Sequence, residues 1–454
     1  MTAAPAILAD ASALSAWLHG AAAAAPGAVS DAPAPFSDVV GPYMGVFFIA
    51  YFVAFIATPL MRTLAVRNGI IDWPDLKRKN HVEPIAYLGG IAIFVGWLAA
   101  VELSYFVTPA HSAGGVRVFF PLSVVIGAGL VVLTGLLDDV YGISPRVKVG
   151  GQLLAAAALA SENVGTRIVF DFLRTLSIPQ EALGTINEPH LIVYVAGTVL
   201  IAVFVVGACN SINLIDGLDG LASGIVGIAA VGFLVIAAII ALDPDVVGSA
   251  AQHSHQRLVM CLALVGAVLG FLPYNFNPAN IFMGDAGSLL LGYLSAATML
   301  MFAHVPGNSL IFVTACLVVL ALPITDTSLA IFRRKMRGQP IFSPDNQHIH
   351  HLLRRSGYTV RQAVFVMYGL ATLFAAVGCL MVVFDLRWRY VLAVFFVLFG
   401  FILVTAYKFG YRQHLLDQMA ERAAEAPPPV APPATPAAPP APPATQPPPA
   451  TFSA

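Results

Sequence analysis

Charge is what this sequence has least of. Only 10% of its 454 residues are Asp, Glu, Lys or Arg, against about 25% in an ordinary soluble domain, which excludes a soluble globular protein. The apolar share, 58%, excludes a disordered one. No net basic field exists to hold phosphate chains, because 23 Lys and Arg face 24 Asp and Glu; nucleic acid is excluded as a partner. Cysteine is also sparse. Cys209, Cys261, Cys316 and Cys379 lie in or beside apolar runs, with no CxxC pair. They read as small hydrophobes, not as disulfide or metal ligands. No Gly-Lys dipeptide occurs, which removes the Walker lysine of a P-loop ATPase.

What is present is apolar sequence in bilayer-sized lengths. A crossing helix needs about 20 apolar residues. Spans are expected near 43–64, 87–107, 119–137, 149–163, 190–209, 220–242, 257–275, 286–304, 308–326, 362–384 and 388–408. The expected fold class is all-α, a polytopic membrane helical bundle of about 11 transmembrane helices. The ends differ in kind. Residues 1–42 are rich in Ala, Pro and Asp and hold no Lys or Arg, so they lack the basic start of a secretory signal and read as a mobile leader. Residues 43–410 form the expected transmembrane domain, and 411–454 an Ala/Pro-rich disordered tail. Within that tail, 426–454 holds 13 of the 33 prolines and stays extended.

The basic residues orient the bundle. Counting every span as a crossing, the loops after spans one, three, nine and eleven carry 17 of the 23 Lys and Arg. The positive-inside rule makes that side cytoplasmic. The N-terminus is then outside and the C-terminus cytoplasmic.

With so few charges, acids that interrupt apolar stretches stand out. Asp138 and Asp139 close the third span. Asp216 and Asp219 sit in the Gly- and Asn-rich stretch Asn210–Gly220, and Asp285 in Asn280–Ser288. Asp345, His348, His350 and His351 fall in the long loop after span nine. The orientation above, built without these residues, puts all of them on the cytoplasmic side. Acids also decorate helix ends at a bilayer surface, and Gly217, Gly220 and Gly224 also suit close helix packing. If the 216–219 stretch is helical, its two acids share a face.

Carboxylates gathered on one face repel unless a cation sits among them. Mg²⁺ takes oxygen ligands, typically one or two carboxylates plus substrate phosphates. The histidine run leaves zinc open as an alternative. A proton-coupled transporter places its carboxylates near the bilayer midplane. Acids at span ends favour chemistry on a water-soluble substrate at the membrane surface.

Five motifs, in order, carry a resemblance. They are Asp72-x-Pro74 with Arg78-Lys79-x-His81 and Gly89-Gly90; Gly135-Leu-Leu-Asp138-Asp139 with Lys148 and Gln152; Asn210 to Gly220; Asn275 through Ser288; and His348-Ile-His350-His351. Together they resemble the polyprenyl-phosphate N-acetylhexosamine-1-phosphate transferases of glycosyltransferase family 4. The nearest look is to the bacterial undecaprenyl-phosphate α-N-acetylglucosaminyl 1-phosphate transferases. The resemblance covers roughly residues 45–410. It departs at one point: the relatives' Pro-x-x-Gly-Gly is here Ala86-Tyr87-Leu88 before Gly89, which puts the course of the 81–90 loop in question.

The resemblance implies a reaction at the inner membrane of a bacterium, on its cytoplasmic face. A UDP-N-acetylhexosamine gives its sugar 1-phosphate to undecaprenyl phosphate, UMP leaves, and a lipid-linked glycan such as O-antigen, capsule or a cell-wall polymer is begun. It implies Mg²⁺, with Mn²⁺ as a substitute, and a homodimer as in the cell-wall branch. By the same resemblance Asp285 is the metal ligand, with Asp216 beside it. Asp138 and Asp139 handle the acceptor phosphate. Asn213, Asp216, Asp219, Asn275 and Phe282 lie on the nucleotide side, Phe282 against uracil. Lys148 belongs to the substrate-binding set. His348, His350 and His351 donate to the diphosphate, helped by Arg78, Lys79 and His81. The alternatives kept open are a polytopic transporter of a nucleotide sugar or lipid-linked sugar, and an inactive scaffold.

Overall fold

The computed structural model describes residues 36–73, 84–107, 120–163, 166–185, 189–243, 249–305, 309–336, 338–340 and 347–387, with isolated positions beyond. Contacts group the chain into Met1–Ala406 and Tyr407–Ala454, and every element described below belongs to the first unit. Its helices are α1 (Met44–Arg67), α2 (Gly89–Val107), α3 (Leu122–Tyr141), α4 (Pro145–Ser161), α5 (Thr166–Thr175), α6 (Leu191–Ile215), α7 (Leu221–Ala241), α8 (Ser249–Asn275), α9 (Gly284–Met301), α10 (Ser309–Val319), α11 (Ala321–Met336), α12 (Ile349–Arg355) and α13 (Val360–Val383).

Local sequence sets the ends of these helices. Gly142 takes a left-handed conformation just past α3, and its N–H closes onto the Asp138 carbonyl at 2.9 Å, the usual αL stop. Pro145 opens α4 at a position where a missing N–H costs nothing. Thr359 and Gln362 form a capping box that starts α13. The 25 residues of α6 rise about 37 Å, enough for a hydrocarbon core of about 30 Å.

Among the described residues, eight helices are long and apolar enough to cross a membrane, or up to ten if two bent pairs each count as one span. The sequence reading differs in detail. The ninth expected span, 308–326, is two helices, α10 and α11, bent by 71°, and α11 runs on to Met336. The fourth begins earlier, at Pro145, and hands over to the short helix α5. The eleventh, 388–408, lies mostly outside the described residues. One antiparallel ladder interrupts the all-α expectation: β1 (Ile71–Asp72) pairs with β2 (Ile85–Ala86), Ile71 opposite Ala86.

The bundle is built around α9. That helix is buried along its whole length, as expected of a helix apolar all round, and it packs on α2, α3 and α6. By contrast, α1 exposes Phe48, Phe52, Ile56 and Leu60, and α6 exposes Ile192, Val195, Val199 and Val203. Such apolar stripes suit a lipid environment. Hydrogen bonds tie one set of helix ends together: the ends of α1, α3, α6 and α8 with the starts of α2, α4, α7, α9 and α13.

Candidate active site

The start of α9 is the hub of this end of the bundle. Gly284 has φ +67°, and a Cβ there would lie 2.5 Å from Asp139 Oδ2; only glycine meets both conditions at low cost. One turn before Asp139, Gly135 lets α3 touch α9 backbone to backbone, since a Cβ would fall 2.4 Å from Ala286 Cα. That approach lets Asp139 reach the helix start. Its Oδ1 accepts the Asp285 N–H at 2.7 Å and its Oδ2 the Ala286 N–H at 3.1 Å. Asp139 therefore caps α9 with a carboxylate, where orphan N–H groups and the helix dipole favour negative charge.

Asp285 projects from that capped turn. Its Oδ1 accepts from Asn213 Nδ2 at 2.6 Å, and its Oδ2 from the Lys148 ammonium. Lys148, in the first turn of α4, also reaches Asp138 Oδ2 at 3.0 Å and Asn213 Oδ1 at 3.4 Å. Asn213 donates in addition to Ser288 Oγ at 2.9 Å. The Asp138 and Asp285 carboxyls are neighbours that share the Lys148 ammonium. One ammonium thus bridges two carboxylates from different helices, and solvent still reaches them: the Asp285 side chain is 26% exposed. Asp138, Asp139, Asp285, Lys148 and Asn213, all expected to meet, do meet.

The Asp216–Asp219 stretch is not helical. Helix α6 ends at Ile215 and α7 begins at Leu221, so the two acids share no helix face. Asp216 is half-buried. Burial first, then the charges of Asp285, Asp139 and Asp219, push its carboxyl up to about 8. Asp219 points the other way, accepting from Asn277 Nδ2 at 2.8 Å and from the Ala279 N–H at 3.1 Å. Asn275 is buried; its oxygen accepts from Ser223 at 2.9 Å and from the Gly220 N–H at 3.2 Å, and its amide donates to the Ile281 carbonyl. Both residues therefore lace the 216–220 loop to the 275–282 loop.

Phe282 lies in that second loop. Its N–H bonds to the Ala86 carbonyl at 2.9 Å, and its carbonyl accepts from Gly89 at 3.0 Å. Its ring is 6.2 Å from that of Tyr87. Tyr87 carries no site role in the sequence reading. Burial, and next the charge and hydrogen bond of Asp72, raise its hydroxyl pKa, with Asp139 and Asp285 adding to the shift. It therefore stands at the edge of the acidic cluster.

His348 caps α12, so the histidine run starts a short helix where a loop was expected. The His348 and His350 rings are nearly parallel with centroids 5.7 Å apart, and His350 and His351 are 4.1 Å apart. His350 is buried, neither ring nitrogen has a hydrogen-bond partner among the described residues, and burial first, then His351, pushes its pKa down to about 3. Asp326 was missed by the sequence reading, and it holds His348. The signal was available: an acid in Pro-Ile-Thr-Asp, at the end of an apolar run. Arg78, Lys79, His81 and Asp345 lie outside the described residues.

Among the described residues no group of three or more His, Cys, Asp or Glu is arranged as a metal cage. The donors that do converge are oxygens: the carboxylates of Asp138 and Asp285 and the Asn213 amide oxygen. Such a set fits a hard ion that completes its shell with phosphate oxygens and water, and not the nitrogen and sulfur preference of zinc.

The model of glycosyl transferase family 4 matches residues 121–303, which take in the acidic cluster. The chain is 33% identical over 330 residues to a protein of Bacillus subtilis (strain 168) named "Probable undecaprenyl-phosphate N-acetylglucosaminyl 1-phosphate transferase"; the match covers 72% of this chain and 82% of that one. It is 34% identical over 334 residues to the decaprenyl-phosphate N-acetylglucosaminephosphotransferase of Mycolicibacterium smegmatis, covering 70% of this chain and 77% of that one. It is 29% identical over 359 residues to the undecaprenyl-phosphate alpha-N-acetylglucosaminyl 1-phosphate transferase of Yersinia pestis, covering 76% and 87%.

Proposed function

The chain belongs to glycosyl transferase family 4, and on that premise we propose that it transfers N-acetylglucosamine 1-phosphate from a UDP-sugar to undecaprenyl phosphate, releasing UMP. The observation that carries the reading is the cluster in which Lys148 bridges Asp138 and Asp285 at the capped start of α9. The transfer begins a lipid-linked glycan. The protein is a multi-pass membrane protein. We place it in the bacterial inner membrane with this cluster facing the cytoplasm, because 17 of 23 basic residues fall on that side if every span crosses.

In the transfer, an oxygen of the acceptor phosphate attacks the phosphorus that bears the sugar. The bond from that phosphorus to the UMP oxygen breaks, and UMP leaves with the electron pair. Such chemistry asks mainly for positioning and charge neutralisation. Asp285, with Asp216 near it, would hold Mg²⁺, which would supply charge neutralisation for the diphosphate. Lys148 presents its ammonium where two anionic substrates must converge. Asn213 fixes the Asp285 carboxylate through one oxygen. Asp139 has both oxygens on backbone N–H groups, so Asp138 is the carboxylate left to face the acceptor. An ionised phosphate needs little proton removal, and Asp138 acts chiefly by holding Lys148. His348 donates to the diphosphate, and the half-buried Phe282 stacks on uracil.

The test is UMP release in membranes. Release should need both polyprenyl phosphate and Mg²⁺, and Asp285→Ala should abolish it. Near-normal turnover by Asp285→Ala removes the metal role. Accumulation of intact UDP-sugar in sealed vesicles, without cleavage, would mark a transporter instead.

A further inference from the structure

Asp326 has no part in the reaction as described above. It lies in α11 and is 1% exposed. A carboxylate buried at that depth is costly unless its oxygens are satisfied. Both are satisfied by one short segment. Oδ2 accepts from His348 Nδ1 at 2.8 Å, and Oδ1 accepts the N–H of Ile349 at 2.9 Å. The carboxylate therefore grips the start of α12 at two adjacent residues, a side chain and a backbone group.

The grip decides what His348 can offer. A carboxylate accepts only, so Nδ1 must carry the proton in this pair. The opposite nitrogen, Nε2, is left for a partner outside it. To donate to an anion, Nε2 must carry a proton as well, so the donating ring is the one with both nitrogens protonated. Carboxylates orient imidazoles this way in hydrolytic triads and behind metal-bound histidines. The same grip fixes where α12 sits. The ring of His348 lies parallel to that of His350, and His350 abuts the Asp216 loop: a Cβ on Gly217 would stand 2.5 Å from its Nε2.

We propose that Asp326 is a positioning residue for the transfer, holding His348 with Nδ1 protonated and Nε2 turned to the substrate diphosphate while it seats the histidine segment against the Asp216–Gly217 loop. The proposal rests on the reading of His348 as a diphosphate donor.

A double-mutant cycle on UMP release tests it, with Asp326→Asn, His348→Ala and the pair made in the full chain. Each single change should lower kcat by tenfold or more. The double variant should be no slower than His348→Ala alone, because Asp326 acts through that ring. Losses that multiply in the double variant, or Asp326→Asn within twofold of the unaltered protein, overturn the proposal. A silent His348→Ala overturns the donor reading itself, a separate result. Histidine ¹⁵N spectra of the unaltered protein in lipid, with the His348 signal identified by its loss in His348→Ala, need no folded Asp326 variant. They should show His348 protonated at Nδ1; a ring protonated only at Nε2 overturns the proposal.

Discussion

Asp139→Asn should damage this protein through its architecture before its chemistry. The carboxylate accepts two backbone N–H groups at the first turn of α9, at 2.7 and 3.1 Å. An amide keeps one acceptor oxygen and turns an NH₂ toward the other N–H. One part-buried donor is left without a partner, a loss of about 1–3 kcal/mol. The charge opposite the helix N-terminus also disappears, at about 0.3–1 kcal/mol, more where it is partly buried. Together the loss is about 1–4 kcal/mol, and it falls on the turn that carries Asp285. Asp138→Asn is the contrast. It weakens the contact with Lys148 but relieves repulsion between the neighbouring Asp138 and Asp285 carboxyls, so its two effects on stability oppose each other. Thermal unfolding in detergent can be followed with a thiol-reactive dye, since Cys209, Cys261 and Cys316 are free and buried. Asp139→Asn should melt clearly lower than Asp138→Asn, and UMP release should fall in both. An Asp139→Asn protein that melts with the unaltered one, yet has lost turnover, would refute the capping argument and return Asp139 to direct contact with substrate.

Other expectations follow from the same geometry. Gly135→Ala places a methyl 2.4 Å from backbone atoms of Ala286; α3 and α9 must part, so turnover should drop at least tenfold, and normal kinetics would contradict the close packing. Lys148→Met leaves two carboxylates facing each other, so the Mg²⁺ concentration for half-maximal thermal protection should fall by roughly tenfold while UMP release collapses; an unchanged midpoint would separate the ammonium from the metal. The Asp216 carboxyl, raised to about 8 in the folded state, favours folding while protonated. In metal-free buffer that contribution is complete below the ordinary carboxylate range near pH 4 and is lost as pH rises through about 8. Asp216→Asn should flatten melting temperature against pH across this window, and an unaltered slope would clear Asp216.

Much of this was readable in the chain, and the rest has physical reasons. Apolar run length fixes where helices lie, because only a helix satisfies its backbone in lipid. The spacing of acids around span ends, together with the motifs, is enough to assign Asp138, Asp139, Asp285 and Lys148 to one site. What the sequence could not separate was a carboxylate facing substrate from one holding scaffold. Asp139 and Asp219 look like Asp138 and Asp216 as letters, yet each spends its oxygens on backbone N–H groups or an amide. The bend between α10 and α11 was read as one straight span, since hydropathy has no sense of direction. Asp326 and His348 are 22 positions apart, and no periodic pattern links an acid in a helix to a histidine beyond a loop.

The arrangement around α9 also predicts that a proton and a divalent ion compete for the same cluster. Four carboxylates, those of Asp138, Asp139, Asp216 and Asp285, gather with one ammonium. Asp139 accepts two N–H groups from the helix start it caps, and Lys148 is shared between Asp138 and Asp285. Among the described residues no cation is paired with Asp216, whose shift toward about 8 arises from burial and from neighbouring acids. A group in that position discharges by taking a proton or by sharing a metal, because like charges that close cannot all remain ionised. Two anionic substrates entering the same space add to the excess. Binding of Mg²⁺ near neutral pH should therefore expel protons, with Asp216→Asn reducing the release. Equal release from both proteins, read as acidification of a weakly buffered solution on Mg²⁺ addition, would show that the excess charge is held somewhere other than Asp216.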